Sequence, residues 1–353
     1  MRPIIMLRAA LAALIGFVFV ISAPDAASAP RQPVMVGYIA AFKGIDPTIA
    51  RVRLADYTHF NIAFANPDAD GAFERDGQLT CMPAPLGAKT HVAELHAQVG
   101  RLRANGAKVL VSIGGGVIPS CSGDWSALLA ADRRDATVAA LVALSDTLGL
   151  DGIDVDLEGE LLTAIDRAGD YTPFIAALSR AMQARGKLLT CATASYDGGM
   201  IPVASIRYFD LVNVMSYDAI GPSWGPAGAE HAPLAMARRD LALWLERGVA
   251  PERLVLGVPF YGYGFNGVAA NWSYRDLLAA YPEAAKRDRI GTPCAGCRYI
   301  TYNGPATIEA KARLARRQAG GVMVWEVSQD SADHALARAA QRGLSTAQPR
   351  GTD

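Results

Sequence analysis

Short apolar runs alternate with amphipathic segments along most of the chain. Most of these runs are apolar at nearly every position, which is typical of parallel strands that are covered on both faces. We predict eight strands: Met35–Ala40, His59–Ala65, Lys108–Gly114, Gly152–Glu158, Leu188–Ser195, Leu211–Tyr217, Leu254–Tyr261 and Gly321–Glu326. Between them, hydrophobic residues recur at spacings of three and four, which predicts amphipathic helices.

Eight strands that alternate with helices predict an α/β protein built as a single (β/α)8 TIM barrel. The alternative is a doubly wound open sheet, which usually carries a glycine-rich dinucleotide loop after its first strand. The corresponding residues here, Val36-Gly37-Tyr38-Ile39, do not form such a loop. We therefore expect one barrel domain over residues 30–345, followed by a flexible polar tail at 346–353.

Residues 151–158 read Asp-Gly-Ile-Asp-Val-Asp-Leu-Glu and carry the strongest chemical signal in the chain. On a strand, Asp154, Asp156 and Glu158 share one face, with neighbours roughly 6–7 Å apart, and three aliphatic residues share the other. Carboxylates this close cannot all ionise at low cost, so at least one should hold a proton near neutral pH. A carboxyl group that is protonated at pH 7 is suited to acid catalysis.

A solvated acidic edge strand and a calcium site are the alternatives for this segment. The aliphatic face argues against the edge strand, because it requires burial, and no glycine-turned loop separates the acids as in an EF-hand. The five histidines show no ligand spacing, so we also predict no zinc, no other metal and no cofactor.

Composition and charge indicate a protein with a sizeable core and give no sign of a highly charged partner. Hydrophobic residues make up 51% of the chain, which is enough for a sizeable core. Lysine plus arginine and aspartate plus glutamate each number 34, so no net charge points to nucleic acid or an anionic membrane as a partner.

The first 29 residues resemble a secretory signal peptide rather than part of the fold. Arg2 and Arg8 precede an apolar stretch of about 15 residues, which is short for a membrane span. Ala27-Ser28-Ala29 fits a cleavage site, although Pro30 disfavours cleavage directly after it. We expect a secreted protein, extracellular or periplasmic, with retention as an N-terminal anchor as the alternative.

Export permits disulfides among the five cysteines. Cys294-Ala295-Gly296-Cys297 could be a redox motif, half of a zinc site or a small disulfide loop, and we favour the loop. Cys81 and Cys121 follow successive predicted strands and could pair. Cys191 lies inside a predicted strand, where we expect a buried free thiol.

Residues 151–158 match the Asp-x-x-Asp-x-Asp-x-Glu signature of family 18 glycoside hydrolases, the chitinases. Further stretches resemble motifs of the same family in the same order along the chain, so that the resemblance covers roughly residues 34–340. These stretches are Val111–Gly115, Met215–Asp218, Gly221 with Trp224 and His231–Leu234, Gly257–Gly262, Tyr302-Asn303 with Lys311, and Gly320–Glu326.

The resemblance implies retaining, substrate-assisted hydrolysis of β-1,4 bonds between N-acetylglucosamine units, an exception to the usual scheme with two carboxylates. It implies that Glu158 is the acid and base, that Asp156 orients the acetamido group and that Asp154 shares a proton with Asp156. Tyr217 would hydrogen-bond the acetamido oxygen, and Asp218 would hold the distorted sugar.

The same resemblance implies further substrate-binding residues: Tyr38, Ser112, Gly115, Met215, Asp218, Trp224 and Trp325. Tyr38 and Ser112 would support Asp154, while Trp325 would form the floor beneath a sugar and Trp224 a platform on the leaving side. We interpret Trp125, Trp244 and Trp272 as structural. The partner would be chitin or a chito-oligosaccharide, and we expect a monomer.

The chain also departs from the family's pattern. Gly159 and Glu160 follow the acid, where processive chitinases carry Tyr-Pro, and Tyr263 stands where an arginine is common. About 58 residues separate strands seven and eight, which predicts no large α+β insertion and a shallow, open groove. An endo-β-N-acetylglucosaminidase that acts on N-glycans and, less favoured because the acid is kept, a chitin-binding lectin are the alternatives.

Overall fold

A computed structural model describes residues 32–345, and it contains a closed barrel of eight parallel strands. Each barrel strand pairs with its neighbours in chain order, and the first pairs with the last. The strands, numbered β1 to β8 along the chain, are Val34–Ala40, His59–Ala65, Lys108–Gly115, Gly152–Leu157, Leu188–Thr193, Leu211–Val214, Leu254–Pro259 and Gly321–Trp325. The (β/α)8 prediction is confirmed, whereas the predicted signal peptide and tail lie outside the described residues.

Helices surround the barrel, as expected for alternating strands and helices. The α-helices of the described chain are α1 Ile45–Arg51, α2 Val92–Arg103, α3 Trp125–Leu129, α4 Arg134–Thr147, α5 Gly159–Arg167, α6 Tyr171–Gln183, α7 Leu234–Glu246, α8 Tyr274–Ala280, α9 Pro305–Gln318 and α10 Ala335–Ser345. None of the described helices has the length and apolar character needed to cross a bilayer.

The strand β4 shows how the sequence divides the core into two layers. Ile153, Val155 and Leu157 belong to the large hydrophobic cluster between the barrel and its helices. Asp154 and Asp156 alternate with them and therefore point into the barrel. The strand ends one residue before Glu158, which begins the connection to α5 in an extended conformation.

The segment between β7 and β8 differs from the prediction. It holds a four-stranded antiparallel sheet of Tyr261–Phe265, Asn271–Ser273, Arg289–Gly291 and Tyr299–Thr301, together with α8. The sequence predicted a helix and no large α+β insertion in this segment, and its small sheet was missed. These strands of three to five residues are too short to show a clear period-two pattern. The first of these strands carries Tyr261 and Tyr263, which both belong to a buried hydrophobic cluster that also contains Tyr38 and Tyr217.

Two disulfides lie close to the mouth of the barrel. Cys81 and Cys121 are bonded with a Cα–Cα distance of 5.5 Å, and Cys294 is bonded to Cys297 with a Cα–Cα distance of 5.1 Å. Cys191 is a buried free thiol on β5. These three assignments agree with the interpretation of the sequence.

Candidate active site

Asp154 is the deepest of the three carboxyl groups and is completely buried. The hydroxyls of Tyr38 and Ser112 donate to its Oδ2 at 2.6 and 2.7 Å. The Thr190 hydroxyl donates to its Oδ1 at 2.5 Å, and the Asn213 amide lies 3.5 Å from the same oxygen. Burial raises the pKa of Asp154, and these hydrogen bonds oppose the rise by stabilising the ionised form.

Asp156 and Glu158 follow Asp154 towards the carboxyl end of β4, and each perturbs the pKa of the other. Burial, followed by the charges of Glu158 and Asp154, raises the pKa of Asp156 well above its usual range. Burial and then the charge of Asp218 raise the pKa of Glu158 to about 7, although the hydrogen bond from Asp156 opposes this. Glu158 can therefore both donate and accept a proton near neutral pH, as a general acid and base must.

Two glycines at the carboxyl end of β3, one inside the strand and one directly after it, leave room for the carboxyl groups. A side chain at Gly114, where φ is +93°, would place its Cβ 2.5 Å from the backbone oxygen of Asp156. A Cβ at Gly116 would lie 2.9 Å from Glu158 Oε1, so its absence leaves room beside the acid. Gly115 is buried against the ring of Phe64 and is not among the residues that line the cleft.

Tyr217 and Asp218 lie beyond the end of β6, which stops at Val214 rather than at Tyr217 as predicted. Asp218 adopts a left-handed conformation with φ of +62°, which asparagine and aspartate tolerate better than most residues. Its carboxylate accepts the Tyr261 hydroxyl at 2.6 Å and lies 3.4 Å from Nδ1 of His231. The Tyr217 hydroxyl makes a weak contact of 3.9 Å with the sulfur of Met323, which leaves it able to bind a ligand.

An open cleft of about 1180 Å³ crosses the carboxyl ends of the strands. Asp156, Glu158, Met215, Tyr217 and Asp218 all line it. Thus the structure brings the predicted residues together, except that Ser112 and Asp154 lie below the cleft wall and Gly115 lies beside it. No cluster of potential metal ligands occurs within residues 32–345.

Several aromatic side chains line the cleft that contains Glu158. Trp325 ends β8, stacks on Phe64 with ring centroids 5.6 Å apart and meets the edge of Tyr38. Trp224 and Tyr196 come from the connections after β6 and β5 and line the same cleft. Both have roughly half of their surface exposed, so their faces are available to a ligand.

Comparisons with known proteins identify the family. The sequence profile of the glycosyl hydrolases family 18 matches residues 34–330, which is most of the chain. The chain belongs to glycosyl hydrolase family 18. Its fold resembles that of the family 18 chitinase from the chitin utilization locus of Flavobacterium johnsoniae, with a TM-score of 0.75 and 29% identity. That alignment covers 89% of this chain and 94% of the other.

Two curated relatives of this family 18 member show how much of each chain can be aligned. Chitinase 63 of Streptomyces plicatus is 30% identical over 235 residues, which is 55% of this chain and 38% of the relative. A chitinase-like effector of Moniliophthora roreri is 27% identical over 259 residues, covering 65% of this chain and 58% of the relative. The aligned region is thus well short of the full length of either relative.

Several residues of this family 18 site were missed in the sequence. Thr190 and Asn213, which bind Asp154, occupy inward-facing positions of β5 and β6, so the period of two along each strand could have indicated them. Tyr196 and Phe42 were missed because they lie in connections, where no periodicity applies. Of the tryptophans interpreted as structural, Trp125 and Trp244 are indeed buried.

Proposed function

We propose that the protein is a chitinase that hydrolyses β-1,4 bonds between N-acetylglucosamine units with retention of configuration. One observation carries the proposal. Glu158, whose pKa is about 7, lies beside Asp156 in an open cleft that is lined by aromatic side chains, among them Trp224 and Trp325. Sugar rings stack on aromatic faces, and a carboxyl group that titrates near pH 7 can protonate the leaving oxygen and then activate water.

In this proposal, the substrate supplies the nucleophile. With the sugar resting on Trp325, the acetamido oxygen attacks its own anomeric carbon while Glu158 protonates the departing glycosidic oxygen. Asp156 accepts a hydrogen bond from the acetamido N–H and balances the positive charge of the oxazolinium ion. Tyr217 donates to the acetamido oxygen and aligns it. Water then opens the oxazolinium ring, with Glu158 acting as the base.

Different observations support the proposed substrate and the proposed location of the protein. Trp224, Tyr196 and Trp325 all line an open cleft around Glu158, which supports an oligosaccharide substrate and cleavage within a chain. We further propose that residues 1–29 direct export and that the mature protein is a monomer. Mass spectrometry of the secreted protein and size-exclusion chromatography test these two points.

The decisive test compares the wild type with Glu158→Gln on N-acetylchitohexaose, with the product anomers resolved by NMR at early times. We expect short oligomers enriched in the β-anomer from the wild type and none from the variant. Glu160→Gln is the matched control, since Glu160 is an exposed carboxylate two residues further along the chain.

Failure of the folded wild type to cut the hexamer would refute the proposal. A high-mannose glycopeptide would then separate the remaining candidates. Cleavage would indicate an endo-β-N-acetylglucosaminidase, whereas binding of chito-oligosaccharides without cleavage would indicate a lectin.

A further inference from the structure

Helix α7 presents a buried carboxyl group to the segment that carries Tyr217. Asp240 lies in the second turn of α7 and is only 6% exposed. Its Oδ2 accepts a hydrogen bond of 2.6 Å from the hydroxyl of Ser216, which is itself completely buried. Burial raises the pKa of Asp240, and the hydrogen bond from Ser216 opposes the rise. Burying a carboxyl group is costly, so packing alone does not account for this residue.

The residue that Asp240 binds comes directly before Tyr217 and Asp218 in the chain. The Tyr217 hydroxyl has no strong hydrogen bond of its own, since its contact with the sulfur of Met323 is 3.9 Å long. The position of this hydroxyl therefore depends on the packing of the ring and on the backbone behind it. Asp218 follows with a φ of +62°, so the backbone bends sharply just after Tyr217. A shift of Ser216 would be passed on to the Tyr217 side chain.

Two kinds of hydrogen bond hold the backbone of this segment. On the barrel side, the N–H of Met215 donates to the backbone oxygen of Thr193 at 2.8 Å, and the N–H of Ser216 donates to that of Val214 at 2.9 Å. The second of these bonds closes a tight turn where β6 ends. On the helix side, the Ser216 hydroxyl ties the same turn to Asp240. The turn before Tyr217 is thus fixed between the barrel and α7.

The next turn of α7 makes a similar contact that provides a comparison. Trp244 lies four residues after Asp240 and donates its indole N–H to the Ser195 hydroxyl at 3.2 Å. Ser195 belongs to the connection after β5, away from Tyr217 in the chain. One helix therefore binds two serine hydroxyls, and only one of them precedes a residue of the proposed reaction.

We propose that Asp240 is a positioning residue for the reaction: through the Ser216 hydroxyl it holds Tyr217 where the tyrosine can donate to the acetamido oxygen of the substrate. The proposal rests on the glycosidase function proposed above. It requires an acceptor at position 240 rather than a contact between Asp240 and the sugar. A misplacement of about 1 Å can cost about 10²-fold in rate, so loss of the bond to Ser216 should lower kcat.

The experiment measures kcat and KM on N-acetylchitohexaose for the full-length protein and its variants. Asp240→Ala and Ser216→Ala should each lower kcat by about 10- to 100-fold and leave KM nearly unchanged. The double variant should be no slower than either single variant, because both changes break the same bond. Asp240→Asn, which keeps an oxygen that can accept from Ser216, should retain most of kcat. Trp244→Phe is the matched control and should keep the wild-type kcat.

Additive losses in the double variant, an unchanged kcat in Ser216→Ala, or no recovery in Asp240→Asn would each overturn the proposal. If Asp240→Ala does not fold, Ser216→Ala and Asp240→Asn still supply the comparison.

A second measurement does not depend on cleavage. The ring signals of Tyr217, observed by NMR in protein labelled at tyrosine, should shift in Ser216→Ala and Asp240→Ala and stay near their wild-type positions in Asp240→Asn and Trp244→Phe. Unmoved signals in the first two variants would overturn the proposal. If the wild type does not cleave the hexamer, the proposed function fails, whereas these signals still decide whether Asp240 places Tyr217.

Discussion

Replacement of Thr190 by valine tests how the deepest carboxyl group is held. The substitution keeps the shape of the side chain and removes only the hydroxyl that donates to Asp154 Oδ1 at 2.5 Å. The Asn213 amide, at 3.5 Å from the same oxygen, is too far away to compensate fully. A hydrogen bond to a charged group contributes about 1.5–3 kcal/mol, so we expect Thr190→Val to lose about that much free energy of unfolding at pH 8.

The loss should depend on pH in a defined direction. The folded-state pKa of Asp154 is already raised by burial, and the Thr190 hydroxyl lowers it, so the valine variant raises it further. A carboxyl group with a raised folded-state pKa destabilises the protein above that pKa and ceases to do so once it is protonated. The difference between variant and wild type should therefore be largest at pH 8 and shrink as the pH falls towards about 4.

Urea unfolding at several pH values measures this difference, and Thr193→Val is the matched control. The Thr193 hydroxyl is equally buried on the same strand, but it accepts from the backbone N–H of Ile201 at 3.1 Å and touches no carboxylate. The control variant leaves the backbone N–H of Ile201 without this acceptor, so it should also lose stability, but its deficit should be independent of pH. Equal, pH-independent deficits in the two variants would refute the claim that Thr190 stabilises an ionised Asp154.

Three further predictions concern catalysis and stability. Tyr217→Phe should lower kcat by about 10²–10³-fold in steady-state assays with little change in KM, as expected for a donor that acts in the transition state; an unchanged kcat would contradict its role. Trp325→Ala should raise KM for the hexamer roughly tenfold, the equivalent of about 1.4 kcal/mol of lost stacking, whereas Trp272→Ala, outside the cleft, should not. Replacing Cys81 and Cys121 by serine removes a disulfide that joins residues 40 positions apart in the sequence. The free energy of unfolding, measured with denaturant, should fall by about 4 kcal/mol. A reducing agent should produce the same loss in the wild type.

The strands of the barrel could be predicted because burial on both faces makes them continuously apolar. The same criterion placed the end of β6 too late, since Met215 and Tyr217 are apolar but serve the cleft rather than the sheet. The carboxyl group of Glu158 could be identified from the spacing of the acids alone. The role of its charged neighbour Asp218 was inferred only from the family motif, because Asp218 and Glu158 are distant in the chain.

The remaining parts of the site depend on contacts that no local pattern encodes. His231 meets Asp218 through a connection that folds back over the mouth, and Tyr261 reaches the same carboxylate from the small antiparallel sheet. The spacing of hydrophobic residues along α9 does not predict that Lys311 is buried, because a lysine on a helix is ordinarily exposed. Contacts of this kind emerge only when the barrel closes.

The small sheet between β7 and β8 has a consequence for anyone who wishes to shorten the protein. Its first strand carries the Tyr261 hydroxyl that fixes Asp218, and the same strand holds the ring of Tyr263 against Trp224. Deleting this sheet to obtain a minimal barrel would thus remove the contacts that hold Asp218 and Trp224 in the candidate active site. The exposed turn of the hairpin formed by Glu74–Arg75 and Gln78–Leu79 makes no such contact and is the better place for inserting a tag.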